Sequence, residues 1–343
     1  MGSTPLVTAI LPCYNAERFV DAAVGSLLAQ TYTELEILCI DDGSTDGTAA
    51  RLEVLAATDQ RVRLLSAGRN QGLIAALNWG VREASGDFIA RLDADDVALP
   101  SRIARQVETL TTRTDLGIVG TAVVLVDPEG RPLRRPPELR CYEPAGARFT
   151  SLFANPLHHP TILARTELLR SHQYGVGSHS LHTEDYDLWA RLIASGARVS
   201  NFPEPLTMKR RGETNVSVLH ESAQVENFVL SALEQYRRLC GTEPPAGAHR
   251  VFVNRMTATT TPQDLDDGLA LLDLAERDAL EASPSEASDI RRSADMHRTD
   301  ILLQALLRGS RQMQIRAGRL TTRYVRQITS PVSRSYLRSK LSR

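Results

Sequence analysis

Over its first hundred residues the chain alternates, at short and even intervals, between largely apolar runs and segments whose apolar residues recur at helical spacing. Leu6–Leu11, Leu35–Ile40, Val62–Leu65 and Phe88–Leu92 read as buried strands. Ala16–Gln30 carries Phe19, Ala22, Ala23 and Leu27 at helical spacing. Thr45–Ala57 and Gly72–Ala84 read as helices too, the second holding Leu73, Ala76, Leu77, Trp79 and Val81. Strand and helix repeated in this order predict right-handed βαβ units around a parallel sheet.

The regularity then loosens. Pro100–Thr111 reads as a helix, with Pro100 near its first turn. Ile118–Val126 reads as a strand ending in the turn Asp127-Pro128-Glu129-Gly130. Arg131–Ala147, rich in Pro and Arg, reads as an irregular crossing. Thr161–Arg165 reads as a strand, Tyr186–Ala194 as a helix, and Val199–Phe202 and Leu206–Arg210 as short strands. From His220 nearly everything reads as helix, with breaks at Gly241–Gly247 and Ser283–Ser288. The expected division is a main domain over 1–220 and a helical extension over 221–343. With 343 residues, 42% of them hydrophobic and 24% charged, the chain has ample apolar surface for a core, which excludes collagen and full-length disorder.

Three acidic clusters fall where strands end. Asp41-Asp42-Gly43-Ser44 follows the second strand, Asp93-Ala94-Asp95-Asp96 follows the fourth, and Glu184-Asp185 precedes the Tyr186 helix. Ligands of open parallel sheets bind beyond the carboxyl ends of the strands. Asp41 and Asp42 also suit plain turn and helix-cap duty. Three carboxylates within four residues repel one another unless a cation neutralises them, and hard divalent ions take such oxygen ligands.

With these clusters in place, the chain resembles the family-2 glycosyltransferases: inverting enzymes of the A-type glycosyltransferase fold, an α/β, Rossmann-like mixed sheet flanked by helices that binds a nucleotide sugar. Ile10-Leu11-Pro12-Cys13-Tyr14-Asn15-Ala16-Glu17 is similar to that family's first strand and turn. Gln30-Thr31-Tyr32, Glu36-Ile37 through Asp46, Arg69-Asn70-Gln71-Gly72, Gly86-Asp87 through Asp96, and Thr183-Glu184-Asp185-Tyr186-Asp187-Leu188-Trp189 follow in the family's order. The resemblance spans roughly residues 5–217.

The resemblance implies roles. Pro12, Tyr14 and Asp42 would line a nucleoside pocket, Asp42 accepting from the imide N–H of the base, with Asp41 and Glu17 in support. Arg69 would lie near the base or phosphates. Asp93 would meet the ribose or a metal-bound water, and Asp95, with Asp93, would hold Mn²⁺ or Mg²⁺ bridging the two phosphates. Asp185 would be the general base, with Glu184 beside it. His159, in Asn155-Pro156-Leu157-His158-His159-Pro160-Thr161, would line the donor or acceptor pocket or else be a buried, hydrogen-bonded histidine. Lys209-Arg210-Arg211-Gly212-Glu213-Thr214-Asn215-Val216-Ser217 departs from the family, whose segment reads Tyr-Arg-x-His. Arg210 matches, and Arg210 or Arg211 would stand in for the absent His, since guanidinium pairs well with phosphate.

The implied reaction moves a sugar from a nucleoside-diphosphate sugar, UDP-hexose by default, to a hydroxyl acceptor in cell-surface polysaccharide or glycolipid assembly. The alternative is a non-catalytic protein of the same fold that binds a nucleotide sugar or scaffolds an assembly. A dinucleotide-binding dehydrogenase is disfavoured because no GxGxxG follows the first strand. The related pyrophosphorylases are disfavoured because their Gly-rich opening loop is missing.

Charge is distributed unevenly. Residues 308–343 hold ten Arg and Lys and no Asp or Glu, so a net charge of −1 leaves −11 on the rest. On a helix, Arg308, Arg311, Arg316, Arg319, Arg323 and Arg326 oppose Leu303, Leu306, Met313, Leu320, Tyr324 and Ile328. Such a helix suits an anionic membrane surface, packing on the protein, or an oligomer contact; nucleic acid is not expected. Cys13, Cys39, Cys141 and Cys240 form no CxxC pair, no apolar run is long enough to span a membrane, and Met1–Pro5 lacks signal-peptide character. The expected location is the cytoplasm, with peripheral attachment at the inner face of the membrane as an extension of that reading.

Overall fold

The computed structural model describes residues 4–133, 142–175, 177, 179–212 and 221–324. Two compact units emerge. The first comprises Met1–Cys141, Leu157–Ser180 and Gly196–Leu219; the second comprises Tyr142–Pro156, Leu181–Ser195 and His220–Arg343. The expected boundary at 220 is thus the last of five places where the chain passes from one unit to the other.

The first unit is built on the expected strands. β1 (Val7–Cys13), β2 (Leu35–Asp41), β3 (Val62–Ser66) and β4 (Phe88–Arg91) are parallel, in spatial order β3-β2-β1-β4. Between them run α1 (Val20–Leu28), α2 (Thr48–Thr58) and α3 (Leu73–Glu83). A second set extends the sheet: β5 (Val97–Ala98), β6 (Ile118–Val126), β7 (Leu163–Arg165) and β8 (Val199–Arg210). Among the described residues the full order is β3-β2-β1-β4-β7-β6-β8-β5, with β7 antiparallel to both β4 and β6, so the sheet is mixed. β1 and β2 are buried almost throughout, which is why they read as apolar runs.

Some local readings of this unit change. Val199–Phe202 and Leu206–Arg210 are one strand, β8, whose register against β6 shifts where Thr121 faces Phe202 and Ala122 faces Pro205. Pro203 and Pro205 cannot donate to a ladder, so they sit at an irregularity that looks like a strand end. β1 lies between β2 and β4, and because all three are parallel, the acidic runs after β2 and β4 open on the same end of the sheet. The first unit also holds two helices, α4 (Arg102–Thr112) as expected and α6 (Thr166–Ser171), which was not.

The second unit is helical. It contains α5 (Pro144–Thr150), α7 (Glu184–Ala194), α8 (Glu221–Cys240), α9 (Ala246–Phe252), α10 (Pro262–Ala282), α11 (Ala287–Arg308) and α12 (Arg311–Arg323). Phe149, Phe153, Tyr186, Tyr236, Phe252 and Leu302 form its core. A capping box between Thr261 and Asp264, with Pro262 at the first helical position, starts α10. For residues 311–324 the apolar side of the tail lies against this core: Met313, Ala317, Leu320 and Tyr324 are all buried. Arg326, Ile328 and the rest of the tail lie outside the described residues, as does Cys141.

Two buried histidines give this unit an acid-sensitive core. His297 stacks on Phe153 at 3.8 Å and donates from Nε2 to the Phe252 carbonyl at 2.5 Å. Burial pushes His297 and His249 down to about 4. Their folded-state values lie below the unfolded 6.5, so the unfolded chain binds more protons in between and stability falls as pH drops from 6.5 to 4. Each contributes up to roughly 3 kcal/mol. A series of thermal melts should show this slope, and His297→Gln, which cannot become charged, should flatten it; an unchanged slope would remove His297 as its source.

Candidate active site

The turn after β1 is stitched to the turn after β2. Asn15 accepts from Thr45 N at 2.9 Å and its own N–H donates to Ser44 Oγ at 3.0 Å; Asp42 N donates to the Cys13 carbonyl at 2.8 Å. Gly43 has φ +69°, and a Cβ there would lie 2.3 Å from the Arg69 carbonyl carbon. Only glycine serves both the backbone angle and the close approach of the Arg69-Asn70 turn.

Within this frame the two β2 carboxylates do structural work. Asp41 Oδ1 accepts from Ser44 N at 3.1 Å. Asp42 Oδ1 and Oδ2 accept from Gln71 N and Gly72 N, each at 2.8 Å, tying the turn before α3 to β2. Each Asp42 oxygen retains a lone pair for a further donor. Glu17 stands apart: its Oε2 accepts from Gly47 N at 3.0 Å, at the start of α2. Tyr14 is half exposed, and Arg69 is exposed. A cavity of about 420 Å³ runs beside α3, lined by Ile40, Asp42, Ser66, Gln71, Trp79 and Arg82 among others. It takes in Asp42 but, among the described residues, not Pro12, Tyr14 or Arg69.

Three carboxylates crowd the end of β4. Ligand oxygens of Asp93, Asp95 and Asp96 all lie within 4.8 Å of one another. Burial and the neighbouring carboxylates push Asp95 and Asp96 upward. Asp96 is almost fully buried; its Oδ1 accepts from Arg210 N at 2.7 Å, and its Oδ2 has no hydrogen-bond partner among the described residues. Three crowded carboxylates, one with an orphan buried oxygen, fit a hard divalent cation. Asp96 joins Asp93 and Asp95 in that donor set, and its signal was already present in the run 93–96.

One cation is built in. Arg91, buried at the end of β4, ion-pairs through Nη2 with Asp93. Burial opposes its charge, but Asp93, with Tyr174 and Asp96, more than restores it. An extended chain puts residues two apart on one side, so Arg91 could have been found from its spacing to Asp93. Behind it, fully buried Arg102 donates from Nη2 to the Arg91 carbonyl at 2.7 Å, and burial with the Arg91 charge pushes it down to about 9.

Two other expected residues are occupied by the protein. Arg210 donates from Nε to the Asp95 carbonyl at 2.8 Å and from Nη1 to the carbonyls of Asp127 and Pro128 at 3.1 and 2.7 Å, with its guanidinium over the Phe19 ring. It clamps the loop after β4 to the turn after β6. Arg211 is exposed, and residues 213–217 of that segment lie outside the described residues. His159 is buried with its Nε2 3.1 Å from the Tyr174 hydroxyl; burial, then the Arg91 and Lys209 charges, push it well below 6.5, so it is neutral.

The candidate base belongs to the second unit. Asp185 lies in the first turn of α7, half-buried. Its Oδ2 accepts from Asn155 Nδ2 and its Oδ1 from Tyr186 N, each at 2.7 Å. Glu184 precedes it, half-buried. Asp187 is buried and pairs with Arg191 at 3.0 Å, so its carboxylate is already engaged.

Known proteins share this arrangement of chain and sheet. The sequence pattern described as "Glycosyl transferase family 2" matches residues 8–172. An uncharacterized glycosyltransferase of Haemophilus influenzae is 32% identical over 241 residues, covering 66% of this chain and 72% of the relative. The putative glycosyltransferase EpsE of Bacillus subtilis is also 32% identical, over 67% of this chain and 82% of its own. The chain belongs to glycosyltransferase family 2. A further relative, the O-antigen biosynthesis glycosyltransferase WbnJ of Escherichia coli, is 30% identical over 55% of this chain and 72% of its own. The fold recurs in S. aureus TarS 1–349 with UDP-GlcNAc (TM-score 0.55, 16% identity, 94% and 92% of the two chains). It recurs also in the mannosyltransferase PcManGT of Pyrobaculum calidifontis with GDP-Man and Mn²⁺ (TM-score 0.54, 19% identity, 98% and 86%). This family-2 glycosyltransferase has, among its described residues, no helix long and apolar enough to cross a membrane.

Proposed function

We propose that this glycosyltransferase is inverting and metal-dependent, moving a hexose from a nucleoside-diphosphate sugar, UDP-linked by preference, to a hydroxyl of a glycan or lipid-linked glycan. The observation that carries the reading is the crowding of Asp93, Asp95 and Asp96 at the end of β4. The name of one relative, an O-antigen biosynthesis glycosyltransferase, and those of fold neighbours holding UDP-GlcNAc and GDP-Man, support the donor class and cell-surface assembly.

In this reading residues 1–220 supply all the reacting groups and 221–343 are a helical extension. Asp95 and Asp96, with Asp93, would hold Mn²⁺ or Mg²⁺, which when bound would supply positive charge for the departing diphosphate. Arg91 fixes the Asp93 carboxylate. Pro12, Tyr14, Arg69 and Asp42 face the nucleoside, the spare lone pairs of Asp42 serving a base N–H, and exposed Arg211 is better placed than Arg210 for phosphate. Asp185 takes the proton of the acceptor hydroxyl. That oxygen bonds to the anomeric carbon as the bond to the diphosphate breaks on the opposite face, so the configuration inverts.

Release of nucleoside diphosphate from UDP-, GDP- and dTDP-sugars tests the reading. Chelation should abolish release and added Mn²⁺ or Mg²⁺ should restore it, while Asp95→Ala should leave the restored rate at background. Full activity of Asp95→Ala in chelator would reject the metal role.

A further inference from the structure

With its apolar side against the helical core, α12 shows solvent a second, different face. At about 100° per residue, Met313, Ala317, Leu320 and Tyr324 fall within about 60° of one another. Arg311, Ile315 and Arg319, spaced one turn apart, fall within about 80° on the opposite side. All three are exposed, Ile315 at 52%. Exposed Leu307 and Arg308 close the preceding helix, Leu307 at 64%. The helix α12 contains no acidic residue.

The charges on this face are uncompensated. Arg316, on the inner flank, pairs with Asp266 at 2.7 Å, and Arg323 approaches Asp273 at 3.9 Å. Arg308, Arg311 and Arg319 have no ion pair among the described residues. The sequence beyond Tyr324 adds five more Arg and Lys and no Asp or Glu. A cationic face carrying isolated, exposed aliphatic side chains is complementary to a surface that is negative outside and apolar beneath.

We propose that the Arg311–Ile315–Arg319 row, with Arg308 and Leu307, docks the enzyme on an anionic lipid surface. The arginines sit among the headgroups, and Ile315 and Leu307 reach the acyl boundary. This docking keeps the folded core closed, because Met313, Ala317 and Leu320 stay where they are. It also needs no part of the catalytic reading, so either can fail alone.

The test is co-sedimentation of the full-length chain with vesicles of equimolar phosphatidylglycerol and phosphatidylcholine, against phosphatidylcholine alone. Wild type should pellet with the anionic vesicles only, less so as salt rises. Arg311→Ala with Arg319→Ala should weaken partitioning about fivefold per arginine. Ile315→Ser should weaken it further without changing the salt dependence. These side chains are exposed and have no ion pair among the described residues, so the melting temperature should not move. Equal binding by wild type and the triple variant would assign any attachment to residues beyond 324 and overturn the proposal. So would equal binding to neutral vesicles, or binding to duplex DNA with none to vesicles.

Discussion

Asp185→Asn should lower turnover by roughly 10²–10⁴-fold, the usual scale for loss of a general base, while leaving nucleotide affinity nearly unchanged. The asparagine keeps an oxygen for one of the two donors that now hold the carboxylate, the Asn155 amide and the Tyr186 N–H, so the first turn of α7 should persist. Single-turnover transfer with a saturating donor, beside calorimetric titration of the nucleoside diphosphate, separates the two effects. Near-normal transfer would move the role to Glu184, since Asp187 is already paired with Arg191.

Arg298→Met should cost the helical unit on the order of 3 kcal/mol, the scale for breaking a buried ion network by removing one partner. The Arg298 guanidinium is buried and meets Asp273 at 2.8 Å, Glu276 at 2.7 Å and Asp295 at 3.2 Å, beneath the Tyr324 ring. One side chain of α11 thereby holds α10 and the end of α12. Without it, three carboxylates face one another with reduced solvation. Arg298→Lys should recover only part of the loss, because an ammonium lacks the planar fork that reaches several acids at once. The expected signature is an unfolding transition at lower urea concentration. Wild-type stability in Arg298→Met would show that solvent already carries those charges.

The parallel strands were legible because β1, β2 and β4 are buried runs closed by polar turns, a pattern that needs no tertiary information. Helix α5 was not. Pro144–Thr150 is short and contains Gly146, and the N–H groups of Glu143 and Ala145 at its start are taken by Asp289 at 2.9 Å and Glu286 at 2.7 Å. Partners more than a hundred residues away leave no local trace. The candidate site divides in the same way. The acidic run 93–96 announces itself by composition. That Asp42 secures the turn before α3, that Glu17 caps α2 and that Arg210 is spent on carbonyls depend on which backbone groups arrive beside them, and spacing alone does not specify that. Arg91 lies between these cases, visible in the sequence but mute until burial shows it to be the counter-ion of Asp93.

The five passages of the chain between its units bear on how the protein is made. Phe149, Phe153 and Tyr186 leave the ribosome with the middle of the chain, yet the core they belong to is completed only by residues as late as Tyr324. At about 5–20 residues per second, those aromatic rings wait on the order of ten to thirty seconds for their cover. During that interval the nascent chain offers an aromatic surface to chaperones and to its neighbours. A message cut short within the last helices would therefore yield a sticky chain, not a smaller working enzyme.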